Sequence, residues 1–420
     1  MVFFPDSLHL MHPTDALTPL LKLDLIQTLA IAGILYLIGI MLKRKISFLE
    51  RLNIPSAVIG GLLFAVFNLF SHDRLVNIEF DTSMQSLCMV LFFTSIGINA
   101  SFSLLKKGGR PVILFLAISS AFCVIQNLVG IGVATLFDVP KLFGIMAGSV
   151  TLVGGPATGL AFSPLFEEMG LKGAETIAIT SATFGIVCGA LLGGPAGAYL
   201  IQKFRLKKDT QKINEPARQL TPETDERLTI DTTQENSGFT ISLINTIIIM
   251  GLGGVVSLFI SKLGITLPAY IGAMIVGATF RNINDKTQWI KIDQQSIDFA
   301  GEIALNIFLT VALMDLKLWE LAYLAVPLAG ILATQVVVAV LFAITITFLS
   351  MGKNYESAVM SSGFIGFMLG TVANAMVVMK TIVLKYGAAP RAFLVVPLVG
   401  AFFIDYINAL VITVFANLMK

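Results

Sequence analysis

The sequence predicts an all-α integral membrane protein built from two inverted-topology repeats, each with five transmembrane helices and one re-entrant hairpin. Three observations carry that expectation. The chain is too poor in charge to be soluble, its apolar segments fall into two sets of six, and its basic residues alternate sides only if two segments turn back. Of 420 residues, 56% are hydrophobic and 13% charged, whereas a soluble domain carries about 25% charged residues. The surplus apolar surface must face lipid. The formal net charge of +2 argues against a nucleic-acid partner and against strong steering of charged solutes.

The segments follow in order. A helix needs about 20 apolar residues to cross a bilayer. Stretches free of Asp, Glu, Lys and Arg lie at 25–42, 52–72, 82–105, 111–137, 142–166 and 176–202. After a polar interval come 236–261, 263–280, 321–352 and 357–379, with two charge-bearing segments at 302–319 and 392–419. The interval 203–238 opens with Lys203, Arg205, Lys207 and Lys208 and has no helical periodicity. It reads as a watery cytoplasmic linker. Residues 1–22 read as a short external tail: the first 21 lack Lys and Arg and include Pro5, Asp6, Pro13 and Asp15, unlike a cleaved signal.

Charge placement then decides which segments span. Lys43, Arg44, Lys45 and Arg51 put that interval inside, the net acidic 73–81 lies outside, and Lys106, Lys107 and Arg110 return the chain inside. If 142–166 spanned, the acidic 167–175 would fall inside and the basic 203–208 outside, against the rule. A hairpin at 142–166 removes both violations. Lys353 and the basic 380–391 likewise make 357–379 a hairpin entering from the cytoplasm. Five crossings is an odd number, so the repeats 23–202 and 239–420 face opposite ways and both termini are external. The halves also align in order. Ile54-Pro55 matches Leu267-Pro268, and Phe92, Thr94 and Asn99 match Phe308, Thr310 and Asp315 at one constant offset. Gly189-Ala190 matches Gly400-Ala401, which sets Gly194 and Gly197 opposite Asp405 and Asn408.

The unusual chemistry sits in the hairpins and in one carboxylate. GSVTLVGGPATG (148–159) and SSGFIGFMLGTVAN (361–374) carry glycines, and Pro156, that oppose an unbroken helix. Non-helical backbone at membrane depth survives only inside protein or beside a water-filled cavity. Such breaks present half-helix N-termini to anions and free carbonyls to cations. Asp405 lies in AFFIDYINALVI, near the centre of its segment and with Asn408 on the same helix face. A carboxylate at mid-membrane costs roughly 2.5–3.5 kcal/mol and marks ion pathways. With an amide oxygen nearby it suits Na⁺, and as a protonatable group it suits H⁺. Asp315 and Lys317 read as interfacial. The Gln126-Asn127 pair is equally suited to bonding across helices and to touching substrate. Cys88, Cys123 and Cys188 read as small buried hydrophobes. No phosphate-binding loop, zinc-protease motif or Ser-His-Asp set is present, and His9, His12 and His72 lie outside the apolar segments. An ion-gradient carrier therefore fits better than a channel or a membrane enzyme.

The chain resembles the bacterial sodium/glutamate symporters along nearly its whole length. The matching stretches are FFTSIGINA (92–100), GSVTLVGG (148–155), ATFGIVCGALLGGP (182–195), LKLWELA (316–322), MGKNYESAV (351–359) and FLVVPLVGAFFIDYINALVI (393–412). The resemblance implies sodium-coupled symport of L-glutamate, an elevator-like movement in a homodimer, no organic cofactor, and a place in the bacterial cytoplasmic membrane. Two departures put larger apolar groups at the hairpin tips: Pro156-Ala157 where the family has His-Gly, and Phe367-Met368-Leu369 where it has more glycine. An H⁺- or Na⁺-coupled carrier of another organic anion, such as a dicarboxylate, is the alternative. No Lys or Arg lies centrally in the spans, so hairpin groups are expected to hold the carboxylates. These are Ser149, Thr151, Gly154, Gly155 and Thr158 in the first hairpin and Gly366, Gly370, Thr371 and Asn374 in the second. Na⁺ is expected near Asp405 and Asn408, with Thr94, Asn99 and Thr310 as further ligands.

Overall fold

The computed structural model describes residues 20–71, 77–206, 232–264, 268–290, 292–318 and 325–419. Most of the expected tail, linker residues 207–231, the three histidines, Trp319 and Glu320 lie outside the described residues. Each of the twelve apolar segments contains helix. The first half comprises α1 (Leu25–Lys45), α2 (Ser47–Arg51), α3 (Ser56–Ser71), α4 (Ser83–Asn99), α5 (Phe102–Lys107), α6 (Gly109–Leu136), α7 (Lys141–Ile145), α8 (Gly155–Glu168) and α9 (Ala174–Lys203). The second comprises α10 (Thr232–Lys262), α11 (Ala269–Thr287), α12 (Gln294–Met314), α13 (Ala325–Phe342), α14 (Phe348–Ser350), α15 (Tyr355–Met368), α16 (Val372–Tyr386), α17 (Pro390–Phe402) and α18 (Ile404–Leu418). A π-helical turn, Met146–Val150, follows α7, and another, Ala343–Thr347, joins α13 to α14.

Local chemistry sets the helix ends. Asp24 caps α1 by accepting from the Gln27 amide at 2.8 Å, and Gln27 returns the bond at 3.1 Å. The last turn of α1 carries Lys43, Arg44 and Lys45, which complement the carbonyl end of the dipole. The expected segment 82–105 is not one helix, because Ser101 caps a new start by accepting from the Leu104 amide at 3.4 Å. The segment expected at 302–319 starts earlier, at Gln294, where Asp293 accepts from the Gln295 amide at 3.2 Å. Helix α10 begins inside the interval expected as linker. Among the described residues one feature departs from an all-α chain: β1 (Leu20–Leu23) pairs in parallel with β2 (Asn77–Phe80). Both strands lead into apolar helices, so they run the same way, and pairing satisfies their backbone groups outside the helices. Lys22 and Glu79 add an exposed ion pair at 2.8 Å.

Among the described residues, six helical stretches are long and apolar enough to cross a membrane: α1, α6, α9, α10, α12 and α13–α14. The pair α17–α18, bent by 46°, makes a seventh if taken as one span. Helices α3 and α4 are shorter, at 16 and 17 residues, and α11 ends in a charged turn with Arg281, Asp285 and Lys286.

Burial orders the elements in space. Only 22% of the apolar windows of α1 and α10 is buried, so these helices lie at the periphery. Residues 142–153 are all buried, as is every residue of α15 except Glu356. A helix apolar all round belongs inside. Helices α1, α3 and α4 pack with α10, α11 and α12 as one body, while α6–α9 pack with α13–α18 as another. Within the second body Phe115, Phe122, Phe342, Phe364 and Phe367 form a continuous ring cluster, with Phe342 stacked on Phe364 at 5.6 Å. Such pairs add about 0.5–1.5 kcal/mol each beyond their area. Tyr270 of α11 joins the bodies: it stacks on Phe93 at 4.0 Å and meets Phe162 of α8 edge-on at 5.8 Å.

Candidate functional site

Three helix starts meet at one cavity. The segment expected as the first hairpin unwinds at Gly148, whose φ of −103° and ψ of −131° leave the helical region, and resumes at Gly155. Gly155 has φ +65°, and a Cβ there would meet nothing within 4 Å. The glycine thus gives the tip a left-handed turn and leaves it open. The second hairpin breaks after Met368 and restarts at Val372 under Thr371, whose hydroxyl accepts from the Asn374 amide at 3.3 Å. The third break, at Phe403, separates α17 from α18. Nothing in AFFIDY signals it. Asp405 therefore lies in the first turn of α18 rather than inside a continuous helix, where the N-terminal dipole favours its charge.

The cavity holds about 200 Å³. Gly154, Gly155, Pro156 and Ala157 of the first tip line it, with Phe367, Gly370, Thr371 and Val372 of the second, and Gly400, Ile404 and Asp405 of the bent pair. Pro55, Phe92, Leu305 and Leu309 close it from the other body. Asp405 is the one charged side chain in this lining. The first amides of a helix have no partner within it, so three N-termini give a cluster of donors and partial positive charge that suits an anion. The carboxylate and freed carbonyls of the breaks suit a cation.

The expected site residues divide by position. Gly154, Gly155, Gly370, Thr371 and Asp405 line the cavity. Ser149 and Asn408 sit behind it, fully buried. Asn408 donates to the Ser149 carbonyl at 2.8 Å, and the Ser149 amide donates to Asn127 at 3.0 Å. The Ser149 hydroxyl and the Asn408 side-chain oxygen are buried with no protein partner. Thr151 is satisfied inside its hairpin by the Met146 carbonyl at 2.7 Å, and Thr158 packs beside Gly154. Asn374 donates to the Ile186 carbonyl at 2.9 Å, while Gly366 lets the two arms of the second hairpin touch: a Cβ there would lie 2.7 Å from the Ala375 Cα.

The other three cation candidates stand apart from the cavity. Thr94 and Thr310 bond back along their own helices to Val90 and Asn306, and Asn99 is bonded to Asp298 and Gln294. Asp315 and Lys317 line a separate charged cavity of about 370 Å³ with Glu167, Lys172 and Glu175. Of the apolar walls, Pro55 and Phe92 carry a sequence signal only as matches between the halves, and nothing distinguishes Leu305 and Leu309 locally from other apolar residues. Capping by Thr371 is directly testable. Thr371→Val should lower thermal stability by about 1 kcal/mol and Thr371→Ser should restore it; equal melting of the Val variant and wild type would exclude the cap.

The family model described as "Sodium/glutamate symporter" matches residues 21–388. The sodium/glutamate symporter of Haemophilus influenzae is 38% identical over 399 residues, covering 92% of this chain and 96% of that protein. That of Escherichia coli is 38% identical over 402 residues, covering 94% and 98%. Among solved structures, a sodium/proton antiporter from Methanocaldococcus jannaschii aligns with TM-score 0.41 and 14% identity over 94% of this chain and 98% of that one.

Proposed function

Because the chain belongs to the sodium/glutamate symporter family, a family of transporters rather than enzymes, we propose that it carries L-glutamate into the cell together with Na⁺ by alternating access. The observation that carries this reading is the meeting of three helix N-termini and one carboxylate at a cavity between two buried, broken segments. Amides at Gly155 and Val372 and the Thr371 hydroxyl hold the substrate carboxylates. Na⁺ binds by Asp405, with the buried oxygens of Asn408 and Ser149 behind it, and supplies the positive charge that the lining lacks. Substrate then binds well only with Na⁺ present, and by linkage Na⁺ binds well only with substrate. The membrane potential contributes about 2.3 kcal/mol per net charge per 100 mV.

The body plan belongs to the same proposal: two inverted repeats, 23–202 and 239–420, in a homodimer in the bacterial cytoplasmic membrane with both termini external. Paired features support the repeat. Helices α1 and α3 cross so closely at Gly39 and Gly60 that a Cβ on either would lie 2.1 Å from the other's backbone. Helices α10 and α11 cross the same way at Gly253 and Gly272, at 2.1 and 2.3 Å. Helix α3 packs on α12 as α11 packs on α4. The test is uptake into liposomes by purified protein. Glutamate should accumulate on an inward Na⁺ gradient and not on a K⁺ gradient of matched potential; equal uptake on both would sink the reading.

A further inference from the structure

Two neighbouring amide side chains on α6 each grip a different hairpin. Asn127 accepts from the Ser149 amide at 3.0 Å, next to the break at Gly148. Gln126 donates to the Met368 carbonyl at 3.1 Å, the last residue of α15 before the second break. Successive residues on a helix point about 100° apart, so one turn of α6 reaches both sides at once. Gln335 of α13 fixes that turn by donating to the Gln126 carbonyl at 2.6 Å. Gln126, Asn127, Gln335, Ser149 and Asn408 are all fully buried. The chain of bonds continues from Ser149 to Asn408, one turn along α18 from Asp405. A path of hydrogen bonds, joined through the backbone at Ser149 and between residues 126 and 127, therefore runs from the carboxylate's helix, through the first hairpin and α6, to the second hairpin's tip.

We propose that Gln126 and Asn127 are positioning residues that transmit occupancy of the cation site to the substrate-binding tip of the second hairpin. The inference rests on the symport reading above and adds the path of coupling to it. When Na⁺ draws Asp405, Asn408 and Ser149 into their bound geometry, Asn127 and Gln126 carry that position to Met368 and so to Gly370 and Thr371. Intermediacy in space alone is not coupling, so bond direction supplies the test. Gln126 acts as a donor through its nitrogen, while Asn127 acts as an acceptor through its oxygen. The unused Gln126 oxygen and Asn127 nitrogen have no protein partner. Replacing Gln126 by Met removes its donor, whereas Asn127→Asp keeps an acceptor oxygen in either protonation state, so the first should break its link and the second spare its own.

The measurement is the ratio of glutamate affinities at saturating and at low Na⁺, on full-length protein in lipid nanodiscs. A wild-type ratio of one would refute the symport reading itself, apart from this inference. Given a wild-type ratio well above one, Gln126→Met should reduce it about tenfold, while Asn127→Asp retains it. Asn127→Leu should behave as Gln126→Met, and the double variant should be no worse than either alone. If Gln126→Met does not fold, Gln126→Leu, also without a donor, reads the same ratio. The inference is overturned if Gln126→Met and Asn127→Asp shift the ratio equally. It is overturned too if affinity falls by the same factor at both Na⁺ concentrations, which is what a purely structural role predicts.

Discussion

Asp405→Asn should raise the Na⁺ concentration needed for half-maximal glutamate uptake by about a hundredfold or more, with the fold intact. The substitution keeps size and shape and removes only the charge. Asp405 is the one charged group lining a cavity whose other polar features are amides and a hydroxyl, so no neighbouring carboxylate compensates. A unit charge about 4 Å from a bound cation contributes on the order of 4 kcal/mol at an effective dielectric constant of 20, which leaves ample room for an effect of that size. The variant should melt near the wild-type temperature without Na⁺, because the carboxylate makes no ion pair with a protein cation in this lining. Uptake by Asp405→Asn at the wild-type Na⁺ dependence would remove the residue from the cation site.

The second large effect is expected at a glycine outside the cavity. A Cβ on Gly185 of α9 would lie 2.2 Å from the Leu369 carbonyl and 2.7 Å from Leu152 Cδ2. Leu369 belongs to the break of the second hairpin and Leu152 to that of the first, so this is where α9 touches both tips. Gly185→Ala should force the tips apart, destabilise by about 1–3 kcal/mol and abolish uptake. Gly194, about two and a half turns along α9 at about 3.6 residues per turn, has nothing within 4 Å of its Cβ. There Ala should be neutral, or stabilising by up to about 1 kcal/mol through its helix propensity. Melting and uptake of the two variants check the contrast; a Gly185→Ala protein as stable and active as wild type would exclude the contact.

Much of the fold was legible because membrane insertion sums local terms. Twelve apolar runs became helical segments, and the breaks at Gly148–Gly154 and Leu369–Thr371 stand where glycine and Pro156 oppose helix. Helix ends were less legible. Ser101 and Asp293 reset them through single capping bonds that hydropathy does not register. The bend at Phe403 was invisible, because AFFIDY contains neither proline nor glycine. That bend changes the meaning of Asp405, from a costly charge inside a helix to a group at a helix start. The pairing of Thr94 with Thr310 was readable as sequence alignment. That both hydroxyls are spent on their own helices, and Asn99 on Asp298, was not.

The sequence by itself determined the number, length and polarity of the apolar segments, and with them membrane residence and a broken helix in each half. Each of those depends on residues within about 20 positions of one another. Only the tertiary structure decided which breaks meet and what stands between them. Asn408 reaches Ser149 across 259 residues, Gln126 reaches Met368 across 242, and Asn374 reaches Ile186 across 188. Buried amides and carbonyls must find partners wherever packing puts them, and packing is settled by the whole chain rather than by any stretch of it.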